Sequence, residues 1–317
     1  MAKNVVVIGG GTGIFSVLTG LKKYGYNLSA IVSMADDGGS TGILREEFGT
    51  LPPGDIRRAL VALSATDNKI VSELFNYRFS GKGSLGGHSL GNLLLTALEK
   101  ITGSFDQAVK EAVKILNVEG GVIPVTLLST SLVAELADGT VIKGETNIDI
   151  PKHDGSVPVK RVYLDPEVLA NPEAVAAIKN ADVVILGPGD LYTSILPNLV
   201  VKDIAQALHE THAKIVYIVN IMTKFGETYG FKASDFVSVV QEHLGGKIID
   251  YCLINTELGT GALLKRYQED REEPVAYDNI NFKNGVKVIA GDFLRKGKYL
   301  RHDPKKIAKA LTKIINE

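Results

Sequence analysis

The stretch Lys3-Asn4-Val5-Val6-Val7-Ile8-Gly9-Gly10-Gly11-Thr12-Gly13 decides the fold class. An unbroken apolar run such as that within 3–8 suits a parallel strand buried on both faces, because a strand with one wet face would alternate. A glycine loop follows. Then Ile14, Val17, Leu18 and Leu21 recur at helical spacing up to Tyr24-Gly25. A second strand over 28–34 runs into Ala35-Asp36-Asp37-Gly38-Gly39-Ser40-Thr41-Gly42. Strand, loop, helix and strand in this order make a β-α-β unit.

Further along, 43–118 reads as mainly helical, with amphipathic pieces centred on 55–65, 69–78, 89–101 and 105–117. The run Gly81-Lys82-Gly83-Ser84-Leu85-Gly86-Gly87 breaks them. Strand signals at 122–128, 132–136, 140–144 and 159–164, with Ala137-Asp138-Gly139-Thr140 as a hairpin turn, predict a small β-rich insertion over 121–164. Alternation then resumes: helix 171–179, strand 182–186, helix 200–210, strand 214–219, helix 233–243, strands 248–254 and 286–290, and helix 304–315 with Pro304 in its first turn. The expectation is one α/β domain over 1–317, a Rossmann-like, doubly wound and mainly parallel sheet.

Composition narrows the function. The 317 residues are 45% hydrophobic and 22% charged, a globular balance. Lys and Arg number 35 against 36 Asp and Glu, a net charge of -1, which argues against a pervasive basic field for nucleic acid. Cys252 is the one cysteine, so no disulfide forms within the chain and a reducing compartment fits. No signal-peptide core and no run of about 18 uncharged apolar residues is present, so the expected location is cytoplasmic, with no membrane span.

The candidate sites lie in the loops. At Gly9, Gly10, Gly11, Thr12 and Gly13, backbone N–H groups and a helix N-terminus suit a phosphate. The spacing departs from the dinucleotide fingerprint: counted from Gly9 its third glycine position holds Ile14, and from Gly11 it holds Ser16. No Gly-Lys-Ser/Thr occurs, which excludes a P-loop. The plainer alternative is a tight turn that only packs. Asp36 and Asp37, ahead of Gly38, Gly39 and Ser40, suit a ribose hydroxyl or Mg²⁺ beside a phosphate, or else an Asx turn. In Leu51-Pro52-Pro53-Gly54-Asp55-Ile56-Arg57-Arg58, Asp55 is expected to cap a helix. Arg57 and Arg58 then oppose that helix's dipole unless an anion compensates, and Arg45 with Arg57 is available for bidentate anion contacts.

Gly187, Pro188, Gly189 and Asp190 end a predicted parallel strand, the edge where such sheets bind ligands. Tyr192, Thr193 and Ser194 offer hydroxyls nearby, and Asn220, Thr223 and Asn255 end neighbouring strands. Asn92, after Gly91, is a sugar or base contact or a cap, and His88 is a loop or capping histidine. Tyr267 suits stacking on a nucleobase and Arg301 pairing with a diphosphate; a packing role fits each equally. The six histidines lack metal-ligand spacing, and Ser194 lacks a nucleophile elbow.

Together, Gly10-Gly11-Thr12-Gly13, Asp36-Asp37-Gly38-Gly39-Ser40-Thr41-Gly42, Leu51-Pro52-Pro53-Gly54-Asp55-Ile56-Arg57, Gly91-Asn92-Leu93, Leu186-Gly187-Pro188-Gly189-Asp190-Leu191-Tyr192-Thr193-Ser194 and Asn220-Ile221-Met222-Thr223 resemble the YvcK-like branch of the CofD/YvcK family over nearly the whole chain. The resemblance implies a Rossmann-like core in a cytoplasmic bacterial protein. It also implies a gluconeogenesis factor tied to cell shape and cell-wall homeostasis under gluconeogenic growth, which binds UDP-sugars such as UDP-N-acetylglucosamine. The CofD branch comprises 2-phospho-L-lactate transferases, which move a phospholactyl group from a guanylyl carrier to a deazaflavin precursor with Mg²⁺. By that resemblance Gly11 and Thr12 match the nucleotide loop, and Asp37 and Asp55 match acids that hold the metal. Gly-Gly-Ser-Thr-Gly after the Asp pair, and Pro-Pro-Gly-Asp-Ile-Arg, depart from the transferase pattern and favour the YvcK branch.

The leading expectation is a nucleotide-sugar-binding regulatory protein with a protein partner in cell-wall metabolism, in a fold that often forms homodimers. A UDP-sugar would cross the strand C-termini. The 10–13 loop would cradle its diphosphate, and 187–190 with Asn220 would close the other side. The competing expectation is a Mg²⁺-dependent transferase using Asp37, Asp55 and Arg57. A third is an NAD-binding protein.

Overall fold

The computed structural model describes residues 2–65, 69–246, 249–279, 282 and 285–317. Its main sheet has seven strands: β1 (Asn4–Gly9), β2 (Asn27–Val32), β3 (Gly121–Pro124), β7 (Val183–Leu186), β8 (Lys214–Ile218), β9 (Tyr251–Asn255) and β10 (Lys287–Gly291). A smaller sheet holds β4 (Ser131–Leu136), β5 (Val141–Lys143) and β6 (Val159–Asp165). The main order is β10-β9-β8-β7-β1-β2-β3, and all its neighbouring pairs are parallel. The expected Rossmann-like α/β fold is therefore present.

β1 lies inside the sheet, next to the central strand β7, and is hydrogen-bonded to β2 on one side and β7 on the other. Both its faces meet protein, which is why Val5, Val6, Val7 and Ile8 are all buried. Helices α1 (Gly11–Leu21), α2 (Gly39–Phe48), α3 (Pro53–Leu63), α4 (Lys69–Asn76), α5 (Leu90–Thr102) and α6 (Phe105–Ile115) fill the first half. The helical spacing read in α1 is real: Ile14, Val17, Leu18 and Leu21 form its buried face. The second half carries α7 (Glu145–Asp149), α8 (Pro172–Lys179), α9 (Leu196–Leu199), α10 (Ile204–Glu210), α11 (Ala233–His243), α12 (Gly261–Glu269) and α13 (Pro304–Asn316). A π-helical turn, Leu191–Ile195, leads into α9.

Three boundaries differ from expectation. The segment 121–124 is no part of an insertion; it pairs in parallel with β2 and completes one edge of the main sheet. The separate β unit is antiparallel and spans 131–165. The polar run after Asp37 is not all loop, because helix α2 already begins at Gly39. Its low intrinsic helix propensity is overridden by packing that buries Ser40, Thr41 and Leu44. Of the strand expected at 248–254, Ile248 lies outside the described residues. No helix among the described residues is long and apolar enough to cross a membrane.

Candidate functional site

The chain runs outward from β1 to β3, returns to β7, and runs outward again to β10. Loops after β1 and β7 therefore part from each other, and that switch point is where doubly wound sheets bind ligands. Here it opens into a cavity of about 670 Å³, inside the roughly 300–1,000 Å³ range of small-molecule sites. Gly10, Gly11, Thr12, Gly13, Asp36, Gly38, Gly39, Ser40, Asp55, Arg57, Asn92, Pro188, Gly189, Asp190, Ser194, Asn220, Thr223, Tyr267 and Arg301 all line it.

Five further candidates do not. Gly9 packs beneath α1, where an added Cβ would lie 2.6 Å from Ile14 Cγ2. Gly187 turns the chain out of β7 with a φ of 75°. Tyr192 is buried; its hydroxyl donates to the Val159 carbonyl at 3.4 Å, and burial raises its pKa. Asp37 faces another way, accepting the N–H groups of Glu145 at 3.1 Å and Thr146 at 2.8 Å at the start of α7. Asn255 is likewise spent on its own loop, accepting the Phe293 N–H at 3.0 Å and donating to Glu257 O at 2.7 Å.

The first glycine loop is closed by protein groups. Gly11 N–H donates to Asp55 Oδ2 at 2.8 Å, and a Cβ on Gly10 would lie 2.6 Å from that same oxygen. A Cβ on Gly13 would overlap the Pro188 carbonyl oxygen. These glycines admit Asp55 and the 187–190 loop as well as any ligand. Asp55 is not the N-cap expected of it: α3 starts two residues earlier at Pro53, so Asp55 sits in the first turn and reaches across to α1. Its other oxygen, Oδ1, accepts from Arg58 Nη1 at 3.0 Å.

The acid that faces Asp55 is Asp36. Gly54 lets the loops close, since a Cβ there would stand 2.7 Å from Asp36 Oδ2 and 2.6 Å from Thr41 Oγ1. Burial, then the Asp55 charge, holds the Asp36 carboxyl above the usual range. Two apposed carboxylates fit the hard-oxygen preference of Mg²⁺. Asp36 and Asp55 line the cavity together, whereas Asp37 is turned away onto α7.

Arg45 is not an anion receptor; it donates to the Asp36 and Thr130 carbonyls at 2.8 and 2.7 Å. Arg57 is buried and does line the cavity. His88 stays behind the wall, hydrogen-bonded through Nδ1 to Ser40 Oγ at 3.0 Å.

The sequence reading missed a charged hub. Lys224 Nζ pairs with Asp149, with Asp190 at 3.0 Å and with Glu227 at 3.3 Å. Glu227 is only 3% exposed and also accepts the Tyr192 N–H and Thr193 hydroxyl, each at 3.1 Å. Burial pushes Glu227 up to about 7. Burial alone would lower the Lys224 pKa, but Glu227, Asp190 and Asp149 overcome it and hold the ammonium charged. Two further wall acids, Glu145 and Glu272, are pushed up to about 9 and about 7, chiefly by burial. Lys224 immediately follows Thr223, so the strand-end motif pointed to it; Glu145 and Asp149 come from the insertion and had no local signal.

At the other end, Ile221, Met222 and Leu300 form a small apolar cluster, with Tyr267 packed against it. The Tyr267 hydroxyl accepts the Leu300 N–H at 3.1 Å, and the Arg301 guanidinium lies 5.1 Å from the Tyr299 ring centre. The cavity thus offers an apolar, aromatic end, a polar middle at the two glycine loops, and an inner end of buried charges.

Fold and cavity define a Rossmann-like protein with a ligand-sized cleft at its switch point. The chain belongs to the CofD family, whose profile, described as 2-phospho-L-lactate transferase CofD, matches residues 5–294. It is 43% identical over 316 residues to the gluconeogenesis factor of Bacillus subtilis, covering 99% of this chain and 98% of that one. It is 44% identical over 318 residues to the gluconeogenesis factor of Listeria monocytogenes, covering 98% and 95%. A crystal structure of a Bacillus halodurans protein matches it with a TM-score of 0.93 at 42% identity, covering 100% of both chains.

Proposed function

We propose that this chain is a gluconeogenesis factor that binds a nucleotide-sugar, of the UDP-N-acetylglucosamine type, and acts as a cytoplasmic regulator of cell-envelope metabolism and cell shape through a protein partner. The observation that carries the reading is the graded cavity at the β1/β7 switch point. Tyr267, Ile221, Met222 and Leu300 offer stacking and apolar area to a base. Thr12 and Gly13, the next residues of α1 after the N–H given to Asp55, offer the positive end of that helix to a diphosphate, with Gly189, Ser194 and Asn220 opposite. Arg301 stands at the aromatic end, where it can meet the phosphates. Ligand binding shifts a partner-competent state only by its differential affinity for that state.

Calorimetric titration with UDP-N-acetylglucosamine, NAD and GDP, with and without Mg²⁺, tests this. Selective micromolar binding of the UDP-sugar, with no product on incubation, is expected. GDP binding that requires Mg²⁺, with no UDP-sugar binding, sends the function to the transferase reading. The apposition of Asp36 and Asp55 and the CofD family profile favour that second reading. In it Asp36 and Asp55 would hold Mg²⁺, which would supply charge stabilisation to a transferring phosphoryl or phosphodiester group. Asp55→Asn then abolishes turnover, whereas a sensor keeps its ligand affinity.

A further inference from the structure

The inner end of the cavity holds a buried cation with no anion of its own. Arg57 is 6% exposed. Its Nε donates to Asn92 Oδ1 at 3.0 Å and its Nη1 to Asn76 Oδ1 at 2.5 Å, both neutral amide oxygens. Among the described residues no carboxylate forms an ion pair with it. Asp55, two positions earlier on α3, has its oxygens engaged by Gly11 N–H and Arg58. A buried guanidinium is costly unless a counter-charge meets it. Burial, then Arg58 and Arg78, push its pKa down to about 10, and Asp55 and Asp36 offset this only in part.

The surroundings are built to hold this side chain in place. A Cβ on Gly91 would lie 2.7 Å from Arg57 Cδ and 3.0 Å from Cγ, so Gly91 is the residue that lets the arginine stem pass. Asn92 fixes the guanidinium while its Nδ2 donates to Ser40 Oγ at 3.2 Å, and Ser40 is held in turn by His88. Ser40 lies in the first turn of α2, whose cap residue Gly38 supplies no side chain and gives its own N–H to Asp36 Oδ1 at 3.0 Å. The N–H groups of Thr41 and Gly42 return to Gly38 O; Gly39 and Ser40, ahead of them, line the cavity. Arg58 and Arg78 line the same end.

We infer that this inner end is a receptor for a second oxyanion, a carboxylate or phosphate, bound by Arg57 and the N-terminus of α2 and separate from the diphosphate of a nucleotide. The site stands on its own geometry and needs no nucleotide to define it. The anion comes either from a separate small metabolite or from an acidic group on the sugar end of the nucleotide ligand.

Inorganic phosphate is the first probe, titrated against thermal stability and by calorimetry at constant ionic strength, with chloride as the control. Phosphate, and not chloride, raises the melting temperature of the wild type. Asn92→Asp gives Arg57 an internal counter-charge. That variant folds, keeps or gains stability without phosphate, and binds phosphate about tenfold or more weakly, the scale of a lost charge-assisted hydrogen bond. Arg58→Gln, a partly exposed position, weakens phosphate less. An unchanged phosphate response in Asn92→Asp, or no difference between phosphate and chloride in the wild type, overturns the proposal. So does competition between phosphate and UDP-N-acetylglucosamine, because phosphate then sits in the diphosphate position. Phosphate binding with no UDP-N-acetylglucosamine binding leaves this site standing and removes the nucleotide-sugar reading. UDP-glucuronate displacing phosphate, where UDP-glucose does not, assigns the anion to the ligand's own sugar; failure of both to displace it assigns a separate metabolite.

Discussion

The two ends of the cavity hold their residues by different means. Around Arg57 and Asp55, polar groups are fixed by partners far away in sequence: Gly11 by Asp55, Arg57 by Asn92 and Asn76, and Asn92 by Ser40. Around Tyr267, three buried apolar residues and a hydrogen bond from Leu300 do the work. The first end is preorganised charge, whose value depends on low dielectric and fixed geometry. The second is apolar area with one anchoring bond, which tolerates change. On the proposed function, electrostatic specificity belongs to the inner end and affinity for a flat ring to the outer end. Lys224 and the three carboxylates it joins belong to the charged end.

Replacing Lys224 by Met leaves Asp149, Asp190 and the buried Glu227 without their shared cation. Breaking a buried ion network in this way costs about 3–5 kcal/mol, read by denaturant unfolding at pH 8. The loss shrinks at pH 5, where Glu227, pushed up to about 7 by burial, takes a proton. The wild type has a related pH dependence. Glu227 and Glu272 at about 7, and Glu145 at about 9, lie above the ordinary value of 4.5. A raised carboxyl pKa adds stability that is fully present below the unfolded value and is lost as pH climbs through the folded one. Stability of the ligand-free protein therefore falls from about pH 5 to about pH 9. A flat or rising profile would show that these acids are solvated and the hub is weak.

Gly13→Ala attacks the polar middle. The new methyl meets the Pro188 carbonyl, a backbone atom that cannot swing aside. Overpacking of this kind costs about 1–3 kcal/mol. An unfolding midpoint equal to the wild type would mean that the two glycine loops are free to part, and that the middle is not preformed.

Much of this architecture was legible in the chain, for physical reasons. Central strands buried on both faces, such as Val5-Val6-Val7-Ile8, announce themselves as apolar runs, and α1 and α13 as helical stripes. The motif residues of the inner end were legible as types but not as roles. Which of Asp36 and Asp37 turns inward depends on α7, contributed by an insertion more than 100 positions away, whose N–H groups claim Asp37. Arg45 and Arg57 look alike in sequence, yet carbonyls take the first and only amides meet the second. Strand 121–124 was assigned to the wrong sheet because its short run has no periodicity that separates parallel from antiparallel pairing.

The smallest effect tests the outer end, and Tyr267 separates its two contributions. Tyr267→Ala removes the ring and lowers nucleotide affinity by about 1–3 kcal/mol if the base stacks there, as aromatic–base contacts do elsewhere. Tyr267→Phe keeps the ring and removes only the acceptor for the Leu300 N–H, a bond worth about 0.5–1.5 kcal/mol in stability. Stacking therefore predicts that Phe retains nearly the wild-type affinity while losing a little stability, and that Ala loses both. Equal affinity losses in the two variants would mean that the hydroxyl positions Leu300 and Arg301 and that the ring is not the contact. The outer end would then resemble the inner one, an arrangement of fixed polar groups, and the division of labour between them would fail.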